Sequence, residues 1–348
     1  MQILAIESSC DETAVAVLKG TGTNFEFLSN MVFSQVATHA KFGGVVPEVA
    51  ARMHIETIIP LLREALSSAK INLKELDAIA VTSGPGLMSS LMIGVETAKA
   101  LSFSLNIPLI KINHLEGHLF SCLKNSLKEI KFPAVGLIVS GGHTQILFVE
   151  NFCKYKIIGE TRDDAVGEAF DKVAKILHLG YPGGPAISKA AAQTDENHGF
   201  AIKLPRPMLD QHNYEMSFSG IKTSVLYLWQ KNEKNLTDSE RENFKKAIAF
   251  EFQQAVVEVL ATKILLAARE FNAKTVLLGG GVSANTFLKN SLQKIISDRL
   301  PKVKFLFPET KMSGDNAAMI AVAGFIQAKK KNYISPLKLK ADPNLELV

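Results

Sequence analysis

Apolar and polar positions fall into a repeating order along the chain. Residues 3–6 form a short apolar run, 7–13 (Glu-Ser-Ser-Cys-Asp-Glu-Thr) a polar turn, and 14–18 a second apolar run, which predicts strand, turn, strand. The same grammar returns later: 135–139 apolar, Ser140-Gly141-Gly142-His143-Thr144 a turn, 146–149 apolar. Two such hairpins suggest a duplicated domain. Between them, 46–69 carries Ile55, Ile58, Ile59, Leu62 and Leu66 at helical spacing, with Pro60 expected to bend or break the helix. Residues 79–82 read as a buried strand, Gly84-Pro85-Gly86 as a turn, 89–105 as a helix and 107–112 as a strand. In the second half, 237–271 predicts a helix capped by Thr237 or Asp238. A strand at 276–278 then runs into Gly279-Gly280-Gly281, followed by a helix at 285–300, a strand at 303–307 and a helix at 315–330. Strands alternating with helices indicate a layered α/β protein. Beyond Lys331 the pattern fades around Pro336 and Pro343, which predicts an extended, weakly structured end.

Composition narrows the picture. The 348 residues suggest about two domains. With 47% hydrophobic and 21% charged residues the chain is neither disordered nor collagen-like. A net charge of +5 permits an RNA or phosphate partner without requiring one. Cys10, Cys122 and Cys153 are far apart and never spaced C-x-x-C, which argues against a disulfide framework or a cysteine zinc site and fits a reducing cytosol. The first residues lack a basic region, and Glu7, Asp11 and Glu12 interrupt any apolar core, so neither a signal nor a transit peptide is expected. No run approaches the ~18 apolar residues of a membrane span. The expected location is the cytoplasm.

Four glycine clusters punctuate the pattern: Gly43-Gly44, Gly141-Gly142, Gly183-Gly184 and Gly279-Gly280-Gly281. Glycine lets backbone N–H groups approach a phosphate closely. Three of the clusters follow or join apolar runs, where a nucleotide site of an α/β fold lies. Each alone reads as turn punctuation; together, beside Ser, Asp or Asn, they tilt toward a phosphate cradle. There is no Walker A sequence and no good G-x-G-x-x-G, so neither a P-loop NTPase nor a Rossmann dehydrogenase is supported.

His114-Leu115-Glu116-Gly117-His118 is the sharpest local signal. Histidines at i and i+4 share one helix face and can bind one metal ion, although the pair is open to a plain structural role. Asp315 is a candidate third ligand, with helix N-cap as its alternative. Asp163, Asp164, Glu168 and Asp171 lie close together; on a helix Asp164, Glu168 and Asp171 share a face, which reads either as a solvated charged face or, with the glycine-rich loop at 180–185, as a site where Asp171 holds a ribose or sugar hydroxyl. Lys203, Arg206, Lys222, Lys245, Lys246 and Lys329-Lys330-Lys331, interleaved in part with Phe200, Tyr214 and Phe218, offer either a nucleic-acid platform or an ordinary solvated surface. Ser140 lacks the G-x-S-x-G elbow, and no hydrolase triad is evident.

Taken in order, these motifs resemble one family. Glu7-Ser8-Ser9-Cys10-Asp11-Glu12-Thr13, Gly43-Gly44-Val45-Val46-Pro47-Glu48, Gly84-Pro85-Gly86-Leu87, His114-x-Glu116-Gly117-His118 and Ser140-Gly141-Gly142-His143-Thr144 belong to it. So do Gly167-Glu168-Ala169-Phe170-Asp171-Lys172, Tyr181-Pro182-Gly183-Gly184, Ser217-Phe218-Ser219-Gly220, Gly280-Gly281-Val282-Ser283-Ala284-Asn285 and Asp315-Asn316. The pattern resembles the bacterial tRNA N6-adenosine threonylcarbamoyltransferases, the TsaD family, formerly called O-sialoglycoprotein endopeptidases. The resemblance implies an α/β fold of two actin-like ATPase (RNase H-like) lobes of the ASKHA superfamily. The lobes are expected at 1–112 and 113–324, the latter with the metal and nucleotide site, and 325–348 returning to the first.

The resemblance also implies the reaction: transfer of threonylcarbamoyl from threonylcarbamoyl-AMP to the N6 of adenosine 37, beside the anticodon, in tRNAs reading codons that begin with A. It implies that His114, His118 and Asp315 hold one divalent metal, usually iron(II), with zinc suited to the same donors. Ile138, Val139, Ser140, Gly141 and Gly142 would lie along the adenylate phosphate and donor, Asp171 and Gly184 at the ribose, and Asn285 at the adenine end. Ser188 departs from the family, where an Asp is common. Implied partners are the tRNA anticodon loop, a smaller paralogous actin-like protein (TsaB) and a P-loop ATPase (TsaE), with no membrane.

Three other readings are weaker. A metallopeptidase needs a Glu directly after His114, where Leu115 stands. A nucleotide-regulated scaffold would have lost the histidines and Asp315. A sugar kinase would lack the H-x-E-G-H element.

Overall fold

The computed structural model describes residues 1–347. It contains ten strands and ten α-helices among those residues. The strands are β1 (Gln2–Glu7), β2 (Glu12–Thr21), β3 (Asn24–Ser34), β4 (Ala78–Gly84), β5 (Leu109–Asn113), β6 (Ala134–Val139), β7 (Thr144–Asn151), β8 (Lys154–Glu160), β9 (Thr275–Gly279) and β10 (Lys304–Leu306). The helices are α1 (Val36–His39), α2 (Pro47–Ala69), α3 (Met88–Leu105), α4 (His114–Phe120), α5 (Val166–Ile176), α6 (Gly183–Ala191), α7 (Ser219–Asn232), α8 (Asp238–Glu270), α9 (Thr286–Arg299) and α10 (Ala317–Lys329). No described helix is long and apolar enough to cross a membrane.

The two hairpins seed two five-stranded sheets with one topology. The first runs β3-β2-β1-β4-β5 and the second, taken from its β8 edge, β8-β7-β6-β9-β10. In each, an antiparallel pair is followed by a parallel neighbour: β1 with β2 then β4, and β6 with β7 then β9. The duplication expected from the hairpins is therefore present in the strand order. In both sheets the carboxyl ends of the parallel strands open onto loops, where α/β proteins place their ligands.

The chain divides into two compact units. The first comprises 1–131, 150–156 and everything from 306 onward; the second comprises 132–149 and 157–305. This differs from the boundary expected at 112/113. Leu115, Leu119 and Phe120 are buried, and the backbone of 121–131 is tied to β2–β3 through Phe25 N–H to Asn125 O and Leu127 N–H to Thr23 O. These bonds keep α4 in the first unit. The return of the chain also begins earlier than 325, and α10 is buried along nearly its whole length. Small residues let it lie close: a Cβ on Gly20 would sit 2.3 Å from the Phe325 ring.

Three sequence expectations need correction. Pro60 lies inside an unbroken α2. It and Glu56 are exposed, so the carbonyl that loses its partner is solvated. Asp164 does not share a helix face with Glu168 and Asp171, because α5 starts only at Val166. The tail beyond Lys331 is not loose. Ile334 N–H bonds Leu109 O, Asp342 N–H bonds Ser83 O, and Leu339 and Leu347 are buried. Hydropathy periodicity misses such a segment because it docks as single residues rather than as a helix or sheet.

Candidate metal centre and glycine loops

In the first unit, β1, β4 and β5 end side by side. The last residue of β1, Glu7, is wholly buried, and a buried carboxylate persists only when partnered. Its Oε1 accepts from Ser9 N–H (2.6 Å) and its Oε2 from the Thr82 hydroxyl (2.5 Å) at the end of β4. The same Oε2 lies 3.2 Å from Nδ1 of His114, which Ser9 Oγ also approaches at 3.2 Å. His114 opens α4, and Asn113 caps it by accepting from Leu115 N–H at 2.8 Å.

With Nδ1 so occupied, His114 Nε2 faces Asp315 Oδ1 at 3.5 Å. His118, one turn on, brings Nε2 to 3.1 Å from the same oxygen. The sequence left Asp315 open between ligand and N-cap. The cap of α10 is Asn316, whose side chain accepts from Met319 N–H at 3.0 Å, and Asp315 turns to the histidines. One ligand atom from each of His114, His118 and Asp315 lies within 4.8 Å of the others.

Two observations test whether the cluster fits a cation. His118 is fully buried; its Nδ1 has no hydrogen-bond partner among the described residues, and its Nε2, 3.1 Å from Asp315 Oδ1, is not aligned for a hydrogen bond there. A ring nitrogen left without a hydrogen bond at that depth costs free energy unless a further group binds it. Acidic groups also crowd the site: burial, then Asp315 and Asp11, push the Glu12 carboxyl up to about 9. Burial would lower the His114 imidazole, but Asp315 and Glu7 outweigh it and push it up to about 9. Burial would raise Glu7, but His114 holds it below the usual carboxylate range. Two imidazoles and a carboxylate match a borderline divalent ion. The residues present fit a metal.

The second unit holds the remaining candidates. The side chains of Ile138 and Val139 are buried, so these residues can offer a ligand only backbone. Ser140 closes its own turn: its N–H donates to His143 O (2.8 Å) and its Oγ accepts from His143 N–H (3.1 Å). Gly167 packs against this turn, where a Cβ would meet Ser140 O at 2.7 Å. Gly280, at φ +91°, packs on Val139, where a Cβ would sit 2.3 Å from the carbonyl oxygen. By contrast Gly141, Gly142, Gly184 and Gly281 have nothing within 4 Å of an added Cβ. One set of glycines permits close packing at the end of β6; the other leaves backbone open.

Asp171 accepts from Gly183 N–H at 2.7 Å, and burial raises its carboxyl. Asn285 is fully engaged: its Oδ1 caps α9 by accepting from Leu288 N–H, and its Nδ2 donates to Ser188 Oγ and Gln253 Oε1, each at 3.0 Å. Ser188 in turn donates to Gln253 Oε1 at 3.1 Å. The departure at Ser188 thus stays within one polar cluster, and Gln253, which the sequence did not single out, is its hub.

Several of the acidic and basic candidates elsewhere serve as local ties. Asp163 accepts from the N–H groups of Phe218 and Ser219, and Asp164 pairs with Lys172 (2.8 Å) and Lys222 (2.7 Å). Arg206 pairs with Glu258 and Lys245 with Glu242, and of the interleaved aromatics Phe218 is buried while Phe200 and Tyr214 are partly exposed. The sequence also missed Glu7, Ser9 and Thr82. The available signal was a carboxylate ending an apolar strand.

The chain matches the family described as TsaD, tRNA N6-adenosine threonylcarbamoyltransferase, over residues 26–322. It is 46% identical over 347 residues to the tRNA N6-adenosine threonylcarbamoyltransferase of Thermosipho africanus, covering 100% of each chain. With that of Clostridioides difficile it is 47% identical over 348 residues, covering 99% and 98%. Among solved structures, full-length HypF in its phosphate- and nucleotide-bound form superposes with a TM-score of 0.61 at 15% identity, covering 94% of this chain and 55% of that one. That likeness is one of fold. End-to-end identity at this level leaves one conclusion: the chain belongs to the TsaD family of tRNA N6-adenosine threonylcarbamoyltransferases.

Proposed function

We propose that the chain is a tRNA-modifying acyltransferase that moves a threonylcarbamoyl group from threonylcarbamoyl-AMP to N6 of adenosine 37, in the anticodon loop of tRNAs reading A-starting codons. One observation carries the reading: in a chain 46% identical end to end to a transferase of that name, His114, His118 and Asp315 bring their ligand atoms together. In the reaction the N6 nitrogen bonds to the carbamoyl carbonyl carbon. The bond from that carbon to the adenylate phosphate oxygen breaks, AMP leaves, and one N6 proton passes to solvent.

The N6 lone pair is delocalised into the purine ring, so the donor has to be activated and both reactants positioned. His114, His118 and Asp315 would hold one divalent ion, iron(II) by family likeness, though zinc suits the same donors. Bound there, it would supply Lewis acidity toward the donor's oxygens. Glu7 and Ser9 orient His114 so that Nε2 faces the ligand cluster. In the second unit the open backbone at Gly141, Gly142, Gly184 and Gly281 suits a phosphate and ribose, and Asp171 offers an acceptor to a ribose hydroxyl. The Ser188–Gln253–Asn285 cluster suits the adenine end. The smaller actin-like paralogue and the P-loop ATPase follow from the family. Exposed Ile55 and Ile59 on α2 and Met88 and Met92 on α3 support a protein partner. A cytoplasmic site of action follows from the tRNA substrate.

The test supplies labelled donor, the two partner proteins and unmodified tRNA reading an A-starting codon. Label recovered as modified adenosine only when this chain is present supports the transferase. No label, with verified donor and active partners, rejects it.

A further inference from the structure

Between the two histidines of α4, Glu116 lies two residues from each, on the side of the helix away from them, and both it and Gly117 are buried. Glu116 is 3% exposed. Its Oε1 accepts from the Tyr155 hydroxyl at 2.8 Å and from Gln327 Nε2 at 2.7 Å. Both donors are themselves fixed: the Tyr155 oxygen accepts from Cys153 N–H at 2.8 Å, and Gln327 Oε1 accepts from Asn332 Nδ2 at 2.7 Å. All five residues belong to the first unit. Among the described residues no cation pairs with Glu116. A buried carboxylate held only by neutral donors is a costly way to fill a helix contact.

Gln327 lies on α10, the helix that Asp315 immediately precedes. The bond from Glu116 therefore joins the helix carrying two metal ligands to the helix leading from the third. Gly117 reinforces the approach: a Cβ there would lie 2.7 Å from Ile320 Cδ1 on α10. Glycine sets how closely the helices lie, but a methylene-free contact does not fix rotation. A directional bond does. Rotating or sliding α4 would carry His114 and His118 off Asp315 and would also break the bond from Gln327.

We propose that Glu116 is a positioning residue of the metal centre, locking α4 against α10 from the side opposite the ligands. The proposal rests on the metal reading of His114, His118 and Asp315. Because both donors meet one oxygen, an amide can replace the carboxylate: Glu116→Gln keeps an acceptor for Tyr155 and Gln327, whereas Glu116→Ala keeps none.

The experiment titrates cobalt(II) into the native chain, Glu116→Gln, Glu116→Ala and Gln327→Leu, reading the visible d–d band and the dissociation constant. Thermal unfolding of each metal-free protein runs alongside. The expected result is weakening of about tenfold or more in Glu116→Ala, a smaller loss in Gln327→Leu, and Glu116→Gln within about threefold of native. An altered band in Glu116→Ala with the native band in Glu116→Gln supports positioning. Native affinity and band in both Glu116→Ala and Gln327→Leu overturn it, even if unfolding temperatures fall. If Glu116→Ala fails to fold, native affinity in Gln327→Leu alone overturns it. No cobalt binding by the folded native chain overturns the metal reading, and this proposal with it.

Discussion

Nδ1 of His114 lies 3.2 Å from Oε2 of Glu7, a carboxylate with no exposed surface, and this contact leaves Nε2 toward Asp315. The group on the far nitrogen of a ligating imidazole fixes its tautomer and raises its basicity. Glu7→Gln keeps an acceptor but removes the charge. Metal affinity should fall about tenfold with the fold retained, measured by competition against a chromophoric chelator. Unchanged affinity would separate Glu7 from the centre.

Metal binding should strengthen with pH. The metal-free His114 is pushed up to about 9, Asp315 and Glu7 outweighing the opposite effect of burial. An unfolded histidine titrates near ~6.5. The folded value is the higher one, so the stability it contributes is complete below ~6.5 and is lost as pH rises through about 9. A metal on Nε2 displaces that proton. Apparent affinity should rise roughly tenfold per pH unit up to about 9 and then level off. Titrations across pH 6.5 to 9.5 check this, and a flat profile refutes it.

The two classes of glycine should separate cleanly. Gly280 sits at φ +91° with Val139 O where a Cβ would go, so Gly280→Ala should destabilise the fold by about 2 kcal/mol or more. Gly281, with open space around it, should tolerate alanine in thermal unfolding but bind AMP more weakly. Denaturation and AMP titration of both variants distinguish the roles. Equal unfolding midpoints would remove the packing argument.

Asn113 links the tail to the metal helix. Its Oδ1 caps α4 and its Nδ2 donates to Leu345 O at 3.1 Å. Asn113→Ala should cost about 1 kcal/mol for the cap alone, read by chemical denaturation, and more if the tail contact adds to it. A change below a few tenths would show that neither bond matters.

The repeated hairpins were legible because strand alternation and polar tips are local features, and they gave both sheets. The i, i+4 spacing of His114 and His118 was legible for the same reason. Asp315 was harder: its neighbour Asn316 caps as well as Asp does, and only the fold shows which residue does the capping. Glu7 and Glu116 were not legible as partners, since their donors Thr82 and Gln327 lie far off in sequence. Asp164 looked helical because charge spacing ignores where a helix starts. The docked tail had no period to read.

The most direct measurement compares native chain with His118→Ala in the labelled-donor assay, with partner proteins and donor held constant and unfolding curves matched. Native chain should place label on the adenosine beside the anticodon, and His118→Ala should place essentially none. Equal yields from the two would contradict a transfer that depends on the His114, His118 and Asp315 centre.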